Sequence, residues 1–227
     1  MVFRSAVYVI SLAWVMIVSS EPAAADCKQP KLESFLEDSR AVLKFTGPYY
    51  PSPVPYDLGF KVGAQAFQWF GVAWEAPKDG ALFVLDCAGN RLAATRLGHV
   101  LALRHGPVLP RIGSTVEVSY IAQTGTGYER QSADIFAFLN NSLKSLWTHT
   151  LYERVSILPL EEQTLEDYQW TLSGDGRQIR VGGYRTVYPK TERLDDPGGP
   201  PTKHKISPET FCWDVTHIRY VLCSGSR

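Results

Sequence analysis

Apolar and polar residues alternate along much of the chain, in short runs that are separated by turn residues. The run from Thr115 to Ala122 places Val116, Val118 and Tyr120 between polar or small neighbours. A period of two residues is typical of a strand with one buried face. Further β-prone runs precede and follow it, so the pattern predicts a mainly β protein.

Turn-forming residues separate neighbouring runs at four places, and each place predicts a β-hairpin. These turns are Pro77–Gly80, Ala88–Asn90, Asn140–Asn141 and Gly174–Gly176. Their spacings are unequal, whereas repeat architectures have a fixed period, so we do not expect a propeller. We expect residues 26–227 to form a single-domain antiparallel β-sandwich or open barrel. Residues 190–205 are polar and rich in proline and glycine, which predicts a long surface loop.

Two segments carry helical signals. From Lys31 to Phe45 the apolar residues recur at intervals of three and four, which predicts one N-terminal helix. Near the C-terminus, Ser207 resembles an N-cap, Pro208 suits a first helical position and Glu209 suits a first turn. These three residues predict a short helical turn before the last strand.

The sequence TGTG, Thr124 to Gly127, resembles a phosphate-binding loop. Such a loop must lead into a helix, so that backbone N–H groups and the helix dipole face the anion. Here a β-prone run follows it, and no Gly-Lys-Ser/Thr ending is present. We therefore expect the loop to join two antiparallel strands, with Gly125 and Gly127 in backbone conformations that are costly for other residues.

The first residues have the pattern of a secretory signal peptide. Arg4 is followed by an apolar run from Ala6 to Ser20 and by small residues at positions 23–25, which predicts cleavage before Asp26. An uncleaved anchor is the alternative, but the run is shorter than the roughly 20 residues that span a bilayer. A lipoprotein is disfavoured because Asp26 precedes Cys27. We expect residues 1–25 to be removed and the mature protein to be periplasmic or extracellular, and not membrane-spanning.

The cysteines fit an exported protein. There are four of them, Cys27, Cys87, Cys212 and Cys223, and no C-x-x-C pair occurs. An even set in an oxidising compartment favours disulfides over metal ligation. Proximity in sequence favours Cys212 with Cys223, which leaves Cys27 for Cys87.

Charge and motif content exclude several classes of function. Lysine plus arginine and aspartate plus glutamate both number 23, so no net field attracts nucleic acid. The five histidines have no metal-site spacing, and no G-x-S-x-G elbow is present. We expect neither a metal nor another cofactor.

An export signal, hairpins and aromatic-rich loops favour a non-catalytic binding module for a glycan or an envelope protein. The candidate contact residues are Tyr49, Tyr50, Tyr56, Trp69 and Trp74.

The alternative is a periplasmic or secreted hydrolase with His149 as general base and Glu153 or Asp134 orienting it, since residues 149 and 153 share a face on a regular strand. A purely structural envelope subunit is a third possibility.

Overall fold

A computed structural model describes residue 44 and residues 56–62, 65–73, 79–155, 163–189 and 199–224. These residues form twelve strands. The strands are β1 Tyr56–Val62, β2 Gln65–Ala73, β3 Gly80–Asp86, β4 Arg91–Leu97, β5 His99–His105, β6 Val116–Gly125, β7 Tyr128–Leu139, β8 Ser142–Val155, β9 Gln163–Leu172, β10 Gln178–Tyr188, β11 Thr202–Asp214 and β12 Arg219–Leu222.

The strands form two antiparallel sheets, so the prediction of a mainly β protein is confirmed. The small sheet has the order β1-β2-β3-β4, and the large sheet runs from β12 through β11, β10, β9, β8, β7 and β6 to β5. Every pair of neighbours is also adjacent in sequence. The predicted hairpins β2–β3, β3–β4, β7–β8 and β9–β10 are all present.

One core cluster joins the two sheets. Trp69 and Leu82 from the small sheet are buried in the same cluster as Val100, Val118 and Phe136 from the large sheet. The large sheet has a second cluster on the β8–β12 side, which contains Ile179, Val181 and several aromatic rings. Burial of apolar surface in these two clusters supplies the main stabilisation of the fold.

Two turns have the backbone that their residues favour. Asn140 and Asn141 both have positive φ, 50° and 59°, which is the conformation of a two-residue type I′ hairpin. The TGTG loop joins β6 to β7, as predicted, with Gly125 opposite Tyr128. Gly127 has a φ of 71°, but Gly125 does not have a positive φ. The expectation for Gly125 is therefore wrong, because it is the last residue of a strand and not part of the turn.

The C-terminal segment differs from its prediction. Ser207, Pro208 and Glu209 lie within β11 and form no helical turn. The same strand begins at Thr202, so it includes the last residues of the predicted 190–205 loop. The local preference for a helix start is overridden because β10 pairs with Glu209 and with Ile206, the residues that follow and precede Ser207–Pro208.

Cys212 and Cys223 form a disulfide, as predicted, with their Cα atoms 5.1 Å apart. Cys87 is also disulfide-bonded, and its predicted partner, Cys27, lies outside the described residues. The predicted signal peptide at 1–25 lies outside them as well, as does the predicted helix at 31–45 apart from Lys44. Within the described strands and turns there is no helix of the length and apolarity that crossing a membrane requires.

Candidate ligand-binding site

The predicted aromatic contact residues do not form a contact surface in the part of the chain that the structure describes. Trp69 is completely buried, with 0% of its surface exposed, inside the cluster between the sheets. It is therefore excluded from any contact surface in this fold. Tyr49, Tyr50 and Trp74 lie outside the described residues, and Tyr56 is described only as the first backbone position of β1.

His149 lies on β8 in a largely apolar pocket of rings. Its imidazole stacks on Trp147 at a centroid distance of 5.7 Å and meets the edges of Tyr168 and Phe211. Nδ1 lies 2.6 Å from the carbonyl oxygen of Thr150, and since a carbonyl only accepts, Nδ1 carries the proton and donates it.

Neither acid that the sequence suggested orients His149. Asp134 is buried and accepts hydrogen bonds from the hydroxyl groups of Tyr120, Ser145 and Thr148. In the β7–β8 register Asp134 faces Thr148, while Ala133 faces His149, so Asp134 and the imidazole point to opposite faces of the sheet.

Glu153 is separated from His149 by an irregularity in β8. Ser132 of β7 pairs with Thr150, and the next residue, Gln131, pairs with Tyr152. Leu151 therefore has no partner in β7 and forms a β-bulge. The carboxylate of Glu153 accepts a hydrogen bond from Tyr128, at 2.5 Å. The regular alternation on which the prediction depended is thus interrupted.

The acid beside His149 is Glu209 on β11, whose Oε2 lies 3.5 Å from Nε2. Ser207 lines the same small cavity, of about 70 Å³, but no hydrogen bond joins it to His149 in the described part of the chain. Because the carbonyl of Thr150 engages Nδ1 and a carboxylate faces Nε2, neither ring nitrogen is directed at a nucleophile. A general base needs such a nitrogen within hydrogen-bond reach of the proton it removes.

A second acid–base cluster joins β9 to β10. Glu166 accepts hydrogen bonds from Tyr168 and from Arg185, both at 2.6 Å. Burial acts to raise the pKa of Glu166, but these two hydrogen bonds outweigh it, and the pKa lies below its usual value. Burial, followed by the bond to Glu166, raises the pKa of Tyr168 to about 12. The cluster is internally satisfied and stabilises the pairing of two strands.

A larger cavity lies on the opposite, exposed face of β9, β10 and β11. The cavity lies at a break in the pairing of β10 with β11. Val181 pairs with Glu209, and the next pair is Gly183 with Ile206. Gly182 on β10 and Ser207–Pro208 on β11 lie inside this break. Proline cannot donate to a ladder, and glycine has no side chain to fill the space beside it. Apart from the two chain neighbours of Gly182, no atom of a described residue lies within 4 Å of the position that its Cβ atom would take.

We call this cavity, of about 270 Å³, the Tyr184 groove. Its volume is close to the lower end of the range for small-molecule sites, about 300 Å³. The side chains around its floor are exposed. They are Asp167, Gln169, Thr171, Arg180, Tyr184 and Lys205.

The β9–β10–β11 registers arrange these side chains in rows. Asp167, Tyr184 and Lys205 lie side by side across the three strands. On the other side of the groove, Thr171 lies beside Arg180. Tyr184 lies four positions after Arg180 on β10, a distance of about 13 Å at the usual rise of a strand. The middle row contains Gly182, so the centre of the groove is open.

Tyr184 is the aromatic element of the groove. It is 45% exposed, and the ammonium group of Lys203 lies 4.2 Å from its ring centroid. The cation covers one side of the ring, and the exposed remainder lines the groove. An exposed aromatic ring flanked by polar side chains is a common element of a ligand site.

Sequence reasoning missed this site, although two signals were present. Adjacent glycines within a β-prone run, Gly182 and Gly183, indicate a bulge or a close approach of another group. Pro208 in the facing strand indicates a break in pairing, but its neighbours suggested a helix instead. The two signals are separated by more than twenty residues, and only the β10–β11 pairing brings them together.

No protein-family model matches the chain, and comparisons with curated proteins and with solved structures also found no match. Among the described residues no group of three histidine, cysteine, aspartate or glutamate side chains is placed to hold a metal ion. Function is therefore inferred from the geometry of the site.

Proposed function

We propose that the protein is an exported binding module that holds a saccharide in the Tyr184 groove. The observation that carries the proposal is the groove itself, an open cavity with an exposed tyrosine and polar side chains on both sides. Two features of the chain support export, namely its signal-like N-terminus and the Cys212–Cys223 disulfide. A sandwich of the two sheets would present the groove on a rigid, solvent-facing surface.

The mixture of groups favours a saccharide over a purely apolar ligand. A sugar ring presents an apolar C–H face and a rim of hydroxyl groups. Tyr184 can stack on the C–H face, while Asp167 can accept hydrogen bonds from hydroxyl groups. Gln169 and Thr171 can both donate and accept them.

Binding is favoured over hydrolysis by the surroundings of His149. The imidazole is engaged at both nitrogens, and the adjoining cavity of about 70 Å³ has room for only a few water molecules. Among the described residues that line the larger Tyr184 groove there is no histidine and one carboxylate, Asp167, whereas glycoside hydrolysis usually requires a pair of carboxylates. These observations favour a site that holds a ligand over one that hydrolyses it.

The test compares two exposed tyrosines of the same strand. Tyr184 is 45% exposed and Tyr188 is 41% exposed. They are four positions apart, so both side chains point to the same face of β10, but only Tyr184 lines the groove. The purified protein without residues 1–25 is applied to a glycan array, followed by titration with the saccharides that bind.

We expect Tyr184→Ala to weaken that binding by about tenfold, the effect of losing one stacking contact of roughly 1.4 kcal/mol. Tyr188→Ala should leave it unchanged. If no saccharide binds, or if the two substitutions have equal effects, the proposal is wrong.

A further inference from the structure

The Tyr184 groove has an excess of positive charge that nearby carboxylates do not neutralise. Arg180 and Lys205 line it, and Lys203 lies over the ring of Tyr184. None of these three cations forms an ion pair with a carboxylate in the described part of the chain. Among the described residues that line the groove, Asp167 is the only acidic one.

This excess is local to one face of the sheet. The whole chain carries equal numbers of acidic and basic residues. On the opposite face of β10, Arg185 is paired with Glu166, at 2.5 Å. Arg96 and Arg154 also have carboxylate partners. Exposed cations that remain without partners beside a cavity are positioned to receive an anion from outside.

We infer that the ligand of the groove is an anionic saccharide of the uronate class, an inference that rests on the proposed function. Arg180 and Lys205 hold the carboxylate groups from opposite sides of the open floor at Gly182. Arginine suits this role because its planar guanidinium can donate two parallel hydrogen bonds to one carboxylate. Tyr184 lies beside Lys205 in the register and stacks on a sugar ring at that end of the groove.

Asp167 distinguishes this ligand from a polyphosphate or a nucleic acid. Its carboxylate lies beside Tyr184 in the register and would repel a chain of phosphates. A uronate saccharide offers hydroxyl donors to Asp167 and Gln169 as well as carboxylates to the cations. The groove therefore matches a ligand that has both kinds of group.

The experiment uses the protein without residues 1–25 and a panel of uronate tetrasaccharides, built from galacturonate, mannuronate, guluronate or glucuronate. Each is paired with its carboxyl-reduced counterpart, which keeps the sugar rings and removes the charge. Calorimetric titration measures the dissociation constants at low and high salt. We expect at least one uronate to bind about tenfold more tightly than its reduced form, with a preference that decreases as salt screens the charges.

Two variants and one control assign the charge preference to residues. Arg180→Ala and Lys205→Ala should each weaken uronate binding by about fivefold to tenfold and leave the reduced form nearly unaffected. Arg219→Ala removes the same charge from an exposed position on β12, outside the groove, and should change neither. Thermal unfolding of each variant separates a loss of binding from a loss of fold.

The outcomes separate the inference from the proposed function. If a reduced saccharide binds as tightly as its uronate and still depends on Tyr184, the inference is overturned while the proposed function stands. If no saccharide of either kind binds, both are overturned. Tighter binding of a single-stranded oligonucleotide than of any uronate would overturn the inference in favour of a phosphate ligand.

Discussion

At the scale of single residues, two adjacent glycines of β10 have opposite surroundings. Gly182 has open space where its Cβ atom would lie, while the same position at Gly183 lies 2.3 Å from the backbone oxygen of Asp167. Neither glycine has a positive φ. The difference between them is therefore steric: Gly183 allows β9 and β10 to approach each other, and Gly182 leaves the centre of the groove empty.

Alanine substitution at these two positions should have opposite effects on stability. Gly183→Ala should lower the free energy of unfolding by about 1–3 kcal/mol, because the added methyl group overlaps backbone that cannot rotate away. Gly182→Ala should raise it by about 0.4–1 kcal/mol, since the substitution restricts only the unfolded chain. Urea denaturation of both variants measures the two values. Equal losses of stability would show that the space beside Gly182 is not open in solution.

At the scale of elements, hairpins were the most predictable part of the fold. Each depends on a local pattern of two β-prone runs and a turn, and all four that the sequence indicated are present. The groove depends instead on the pairing of β10 with β11, where local residues gave a conflicting signal. Pro208 and its neighbours have helix-start propensity, but the partner strand decides the outcome, as tertiary context often does.

The β6–β7 hairpin gives a prediction with an internal control. Gly127 has a φ of 71°, whereas Gly125 is a strand residue without a positive φ. Apart from its chain neighbours, no described residue has an atom within 4 Å of the position that a Cβ atom of Gly125 would take. Gly127→Ala should lower the free energy of unfolding by about 1 kcal/mol, and Gly125→Ala should change it little. Denaturation curves of the two variants provide the comparison. Saturable ATP binding that Gly127→Ala abolishes without loss of thermal stability would instead identify the loop as a nucleotide site.

The Glu166–Arg185 pair between β9 and β10 predicts a pH dependence. The pKa of Glu166 is lowered from its ordinary 4.5 in the folded protein, so the pair stabilises the fold above that pH and loses its effect as the pH falls through the lowered pKa. Arg185 is more than half exposed, so the effect should be less than about 1 kcal/mol.

The measurement compares urea midpoints of the wild type and Arg185→Gln. We expect the variant to be less stable at about pH 7, and the difference to shrink as the pH falls below 4.5 through the lowered pKa of Glu166. Arg219→Gln, on β12, serves as the charge-matched control. A difference that persists unchanged at the lower pH would mean that Arg185 acts through packing and not through its charge.

For the whole molecule, the sequence predicted the mainly β fold class but did not predict the Tyr184 groove. Alternation and turn residues predicted a mainly β chain because both are local properties. The burial of Trp69 could not be predicted from its neighbours in sequence, because the residues that cover it belong to the large sheet and are distant in sequence. The groove likewise combines residues from Asp167 to Pro208, which no short motif contains.

The central claim is that the Tyr184 groove is the binding site, and filling the groove tests it most directly. Gly182→Leu directs a side chain into the open floor, while Gly182→Ala is the matched variant that leaves most of the space free. Both should unfold at or above the wild-type temperature. The measurement is calorimetric titration of the three proteins with the tightest-binding saccharide of the array. We expect Gly182→Leu to bind the saccharide more than about tenfold more weakly than the wild type, and Gly182→Ala to bind it with similar affinity. Wild-type affinity in a folded Gly182→Leu variant would show that the ligand binds elsewhere.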